Sequence, residues 1–129
     1  MNRIEWRKTA SNRVLLDAYN ANPTSMSLSI ENFAKWHKNG WLVLGDMFEL
    51  GESSAVEHQA IVELVQRTNM KKRCILVGKH FCSTNWKGLQ FATTGDLETY
   101  WKENGAPKDA AILLKGSRGI ALEQLLHLL

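Results

Sequence analysis

Five short, nearly uninterrupted apolar runs constrain this chain most: RVLLDA (13–18), WLVLGD (41–46), CILVGK (74–79), LQFAT (89–93) and AAILLKG (110–116). A strand with one face in water alternates apolar with polar residues, so a run that is apolar throughout belongs to a strand covered on both faces. Parallel sheets sandwiched between helices create that environment. The intervening segments have the matching helical pattern. Met26, Ile30, Phe33 and Ala34 form an apolar stripe on a helix from about Thr24 to Lys38. A second helix is expected from Ser54 to Thr68, with Val56, Ala60, Ile61, Leu64 and Val65 inward, a third from Leu97 to Asn104, and a last from Gly119 to the end. Asn22 suits an N-cap, Pro23 the first helical position, and Asn39-Gly40 a C-terminal stop.

The opening RIEWRKT (3–9) predicts a strand folding back on 13–18, and a short helical turn is expected around 80–84. The expected fold is α/β: a Rossmann-like open, mostly parallel sheet of about six strands flanked by helices, with an antiparallel edge hairpin at the N-terminus. Residues 1–129 form one domain, long enough to bury a core.

Several function classes are disfavoured. No apolar run approaches the ~20 residues of a membrane span. The start MNRIEWRKT has no signal-peptide core, so a cytoplasmic home without a membrane partner is expected. Cys74 and Cys82 make neither a disulfide framework nor a zinc quartet, and the His and acidic residues have no metal-site spacing. The net charge of +3 is scattered apart from Lys71-Lys72-Arg73, with no aromatics interleaved in sequence. No nucleic-acid partner is expected, although a phosphate-bearing ligand suits this balance.

Ligands of open parallel sheets gather beyond the carboxyl ends of the strands. There the sequence places Asp17, Tyr19, Asn20 and Asn22 after the first long strand, and Asp46, Glu49, Glu52 and then His58 after the second. Lys79 and His80 follow the third strand and KGSRG, Lys115 to Gly119, the last. Some of these have ordinary structural uses: Asn22 as a cap, Glu49 and Glu52 as first-turn acids, Tyr19 as a rim aromatic. KGSRG stands out because its glycines let backbone approach a ligand, Arg118 offers a planar fork to a carboxylate or phosphate, and Lys115 adds a point charge. The following helix start adds N–H groups for an anion.

Complete catalytic machinery is missing. There is no G-x-x-x-x-G-K-[ST], since Gly78-Lys79 is followed by His80 and position 73 is arginine, and there is no G-x-G-x-x-G or nucleophile elbow. A receiver-like signalling module is an alternative, with Asp17, Asp46, Thr93 or Thr94, and Lys115 in roughly the right order. Against it, Asp17 lacks a paired acid and Lys115 is followed by glycine. A stand-alone ligand-binding module is another alternative.

DAYNANPTSM (17–26), VLGDMFELGE (43–52), the later His58 and LLKGSRG (113–119) with Glu123 together resemble the C-terminal domain of the Mur ligases of bacterial cell-wall synthesis, from NRIEW onward. The likeness is to the branch that adds D-Ala-D-Ala to a UDP-MurNAc-tripeptide. The resemblance implies a three-domain ligase using ATP and Mg2+, whose P-loop central domain and UDP-sugar N-terminal domain lie outside this chain. The ligase is expected to act as a monomer, and this chain alone is expected to be inactive. By the same resemblance Asp17, Tyr19, Asn20 and Asn22 face the nucleotide. Asp46, Glu49 and His58 line the dipeptide wall near its ammonium group, and Lys115, Ser117 and Arg118 receive the carboxylate of D-Ala-D-Ala. The segment 79–92, with Phe81 and Trp86, has no motif in the resemblance.

Overall fold

The doubly apolar runs become strands covered on both faces in the computed structural model, which describes residues 4–129. In β3 (Trp41–Gly45), Leu42 and Leu44 point into one apolar layer while Val43 points into the other. The strands β4 (Cys74–Val77) and β6 (Ala111–Lys115) are buried throughout. The sheet is completed by β1 (Glu5–Lys8), β2 (Arg13–Asp17) and β5 (Gln90–Phe91), in the order β1-β2-β6-β3-β4-β5. Pairing is parallel except for β1 against β2, so the mostly parallel sheet with an antiparallel edge hairpin is what forms. Arg3, the first residue of the expected edge strand, lies outside the described residues. Among the parallel strands the last inserts between the first two, whereas receiver-like folds follow the order 2-1-3-4-5. The receiver alternative therefore fails on topology.

Helices α1 (Pro23–Trp36), α2 (Ser54–Gln66) and the short α3 (Lys79–Cys82) cover one face, with Met26, Ile30, Phe33, Ile61, Val62, Val65 and Phe81 in its core. Helix α4 (Thr94–Asn104) and the C-terminal segment cover the other through Leu97, Trp101, Leu122, Leu125 and Leu129. Helix α1 starts as expected: Asn22 accepts from Ser25 N–H and Ser25 Oγ accepts from Asn22 N–H. Helix α4 starts earlier than the apolar pattern implies because Thr93 caps it, accepting from Asp96 N–H.

Two expectations are corrected. The buried face of α2 carries His58, Ile61, Val62 and Val65, whereas Val56 is 71% exposed and Ala60 faces solvent. Nine positions at about 100° each put Val56 half a turn away from Val65, so the stripe runs through the histidine instead. The last segment is also no α-helix. It forms two 3₁₀ stretches, Arg118–Ile120 and Leu122–Leu128, separated by Ala121 in the left-handed region at φ 62°. Thr94 Oγ1 donates to Ile120 C=O at 2.6 Å and Asn12 Nδ2 to Leu129 C=O at 2.8 Å, which ties this segment down at both ends. No helix among the described residues is long and apolar enough to cross a membrane.

Candidate functional site

The connections leaving the carboxyl ends of β3 and β6 run to opposite faces of the sheet, GDMF to α2 and KGSRG to the C-terminal segment. Neighbouring strands whose connections part in this way define a switch point, where open sheets bind ligands. Here the two loops are cross-bonded: Ser117 N–H donates to Asp46 C=O at 3.0 Å and Phe48 N–H donates to Ser117 Oγ at 2.9 Å. A Cβ on Gly116 would lie 2.8 Å from Gly45 Cα, and one on Gly119 would lie 2.7 Å from the Phe48 ring. The glycines expected to admit a ligand instead admit the neighbouring loop, because the strands beneath them are in direct register contact.

Three buried polar devices stiffen this edge. At the ends of β2 and β6 the paired residues Asp17 and Lys115 form an ion pair from Lys115 Nζ to Asp17 Oδ2, with both side chains almost wholly buried. Among the described residues, Asp17 Oδ1 is the one buried side-chain atom with no hydrogen-bond partner. The second device is Asp46, whose carboxylate accepts from the N–H groups of His80 and Phe81, both at 2.9 Å, and so caps α3. Gly78, at φ 127°, makes room for it, since a Cβ there would stand 2.1 Å from Asp46 Cγ. The third is His58, wholly buried. Its Nε2 accepts from Met47 N–H at 3.0 Å and its Nδ1 lies 2.8 Å from Ser54 C=O, to which it must donate. These roles define a neutral imidazole protonated at Nδ1, so the 3.8 Å approach of Nε2 to Asp46 is no ion pair. Burial is the main cause that lowers the His58 pKa, outweighing the bond to Ser54 and the nearby Asp46 charge.

Above this frame the exposed groups gather. Arg118 lies over the Tyr19 ring, its guanidinium carbon 5.2 Å from the centroid, which brings the first and last loops together. Asn20 and Glu49 are exposed, Glu49 with a left-handed backbone at φ 65°. Asn22 is also exposed, its side chain used by the cap. Thus Asp17, Asp46, His58, Lys115 and Ser117 are brought together below the surface, and Tyr19, Asn20, Glu49 and Arg118 stand on it. His80, to which sequence reasoning gave no role, stacks on His58 at 5.1 Å and meets Ser54 Oγ at 3.3 Å. Its position directly beyond β4 was the available signal. No group of three or more His, Cys, Asp or Glu suited to a metal occurs among the described residues.

The family model described as "Mur ligase, glutamate ligase domain" matches residues 2–118. A UDP-N-acetylmuramoyl-tripeptide–D-alanyl-D-alanine ligase of Escherichia coli is 37% identical over 125 residues, covering 93% of this chain and 27% of that protein. The ligase of the same name from Bacillus subtilis is 34% identical over 137 residues, covering 95% and 29%. Among solved structures, a MurF ligase from Thermotoga maritima in complex with ADP has the same fold with a TM-score of 0.76 at 21% identity, over 98% of this chain and 30% of that one. MurF from Acinetobacter baumannii gives 0.73 at 26% identity, over 96% and 28%. The chain therefore spans little more than a quarter of the length of these relatives.

Proposed function

The chain belongs to the Mur ligase family as its glutamate ligase domain, and from that premise we propose that it is the closing domain of an ATP-dependent ligase joining D-Ala-D-Ala to a UDP-MurNAc-tripeptide. Its central and N-terminal domains would be supplied by a longer protein. The observation that carries this reading is the Arg118–Tyr19 contact. It sets a cation and an aromatic ring, exposed and adjacent, on a carboxyl edge where Asp17, Asp46, His58, Lys115 and Ser117 are committed to the frame and Asn20 and Glu49 stand exposed beside them. Relatives at 37% and 34% identity with that named activity support the substrate class.

On this reading the side chains divide by exposure. Tyr19 and Asn20 meet the nucleotide, the ring against a flat base or sugar and the amide against its polar edge. Arg118 pairs with the dipeptide carboxylate through its planar fork, and Glu49 attracts the ammonium. Asp17 and Lys115 act beneath them as a fixed pair, as do Asp46, His58, Asn22 and Ser117 through their internal bonds. Magnesium, where the ligase uses it, would be held mainly by the central domain, in keeping with the lack of a metal-suited group of His, Cys, Asp or Glu among the described residues. The ATP-phosphorylated tripeptide carboxylate is an acyl phosphate, and the dipeptide amine attacks its carbonyl and expels phosphate. What this domain adds is position: holding amine and acyl phosphate together contributes up to roughly 7–11 kcal/mol in ideal cases. Closure also keeps water from the acyl phosphate.

The test uses the natural gene product that contains this chain. Arg118→Ala is expected to raise the KM for D-Ala-D-Ala at least tenfold with little change in the KM for ATP, and Asn20→Ala to do the reverse. Dipeptide kinetics unchanged in Arg118→Ala would remove that assignment. The absence of a P-loop domain in the reading frame upstream would remove the ligase reading altogether.

A further inference from the structure

The amino edge of the sheet, opposite the candidate site, carries a groove of about 860 Å³. Its walls come from the first residues of β3 and β4, Trp41 and Cys74, from the 3₁₀ turn holding Lys71 and Lys72, and from the Trp86–Leu89 segment before β5. Strands of four or five residues place it about 15 Å from the Asp17–Lys115 pair. We propose that this groove is a second binding site, for a small anion that carries a flat aromatic group.

Three observations support that class of ligand. The lining contains Lys71, Lys72 and Lys87, all exposed, and no acidic residue, so the field inside has one sign. Arg73, in the same basic triplet, is otherwise engaged: its guanidinium donates to the carbonyls of Gly40 and Lys38, at 3.0 and 2.6 Å. The lysines are the groups left to meet an anion.

The floor is aromatic. Trp86 Nε1 donates to Leu89 C=O at 3.1 Å and its ring is buried, so it closes the floor with its polar edge satisfied, while the half-buried Trp41 offers π surface to a ligand. A Cβ on Gly88 would lie 2.9 Å from the Trp86 ring, so only glycine lets the backbone pack directly against the indole and fix it as part of the floor. Cys74 closes the base as a neutral group, since burial raises its thiol pKa. The volume falls within the range of roughly 300–1,000 Å³ found for small-molecule pockets. This pairing is not visible in the sequence, because Trp41, Lys71-Lys72 and Trp86 are brought together only by the parallel registers of β3 with β4 and of β4 with β5.

The probe is 1-naphthyl phosphate, titrated into the chain while the indole N–H resonances are followed by NMR. Selective shifts of the Trp41 and Trp86 signals are expected, with inorganic phosphate and neutral 1-naphthol each binding at least tenfold more weakly. Lys72→Glu/Lys87→Glu, which changes only exposed side chains, is expected to weaken binding at least tenfold, whereas Arg118→Ala on the opposite edge leaves it unchanged. The proposal is overturned by unshifted Trp41 and Trp86 signals at millimolar probe, by affinity that survives the double lysine variant, by equal binding of 1-naphthol or of phosphate, or by loss of binding in Arg118→Ala. Ligase kinetics do not enter this test, so its failure and that of the ligase reading are separable.

Discussion

Replacing Lys115 by Met tests the most consequential assignment at the candidate site. Lys115 and Asp17 are each only 1% exposed, on adjacent paired strands, and the carboxylate already has one oxygen without a partner. Removing the cation leaves the second oxygen unpaired as well, in a place that water does not reach. Breaking a buried pair from one side costs about 3–5 kcal/mol. A domain of this size has about 5–15 kcal/mol in total, so Lys115→Met is expected to be marginally stable. With a urea m-value of about 1–3 kcal/mol/M, the unfolding midpoint should fall by roughly 2 M. Asp17→Leu/Lys115→Met removes both charges and should recover all but about 1–2 kcal/mol, since apolar replacements of buried pairs are often neutral. The assay is urea unfolding followed by circular dichroism, as a double-mutant cycle. A single-variant cost below about 1 kcal/mol would refute the reasoning. Lys115 would then be a solvated cation free to receive a ligand carboxylate, as the resemblance implied.

Two further outcomes follow from the same edge. Because burial lowers the folded-state pKa of His58, the unfolded chain binds the proton more readily, and stability held above about pH 6.5 is lost as pH falls toward the lower folded value. His37, lowered by burial and by Arg13, adds to the same trend. Urea midpoints between pH 7.5 and 5 should therefore decline, and less steeply in His58→Leu; an equal slope in that variant would remove His58 as the cause. Gly78→Ala combines a left-handed φ of 127° with a Cβ placed 2.1 Å from the Asp46 carboxyl carbon. It should cost at least about 3 kcal/mol and disorder the start of α3, seen as loss of the His80 and Phe81 amide protection in hydrogen exchange.

Much of the fold was legible locally. Runs apolar at every position mark β3, β4 and β6 because burial on both faces removes any reason for alternation, and Asn22-Pro23 with Ser25 states where α1 begins because a capping box involves only neighbours in sequence. Local patterns failed where the deciding partner is distant. The apolar pattern of α2 points through Val56 and Ala60 because histidine counts as polar, yet His58 is wholly buried once Met47 N–H and Ser54 C=O satisfy both ring nitrogens. The apolar C-terminus looked helical, but anchors from Thr94 and Asn12 hold it in 3₁₀ turns around a left-handed Ala121.

Which residues stand at the carboxyl edge is legible from the chain order, since strand ends and the loops after them follow from the apolar runs. The tertiary structure alone decided their roles. Residues 98 positions apart become a buried ion pair when β6 inserts beside β2, while Arg118, three residues further on, stays in solvent over Tyr19. Whether a polar side chain is available to a ligand depends on its desolvation and its partners, and both are set by non-local packing.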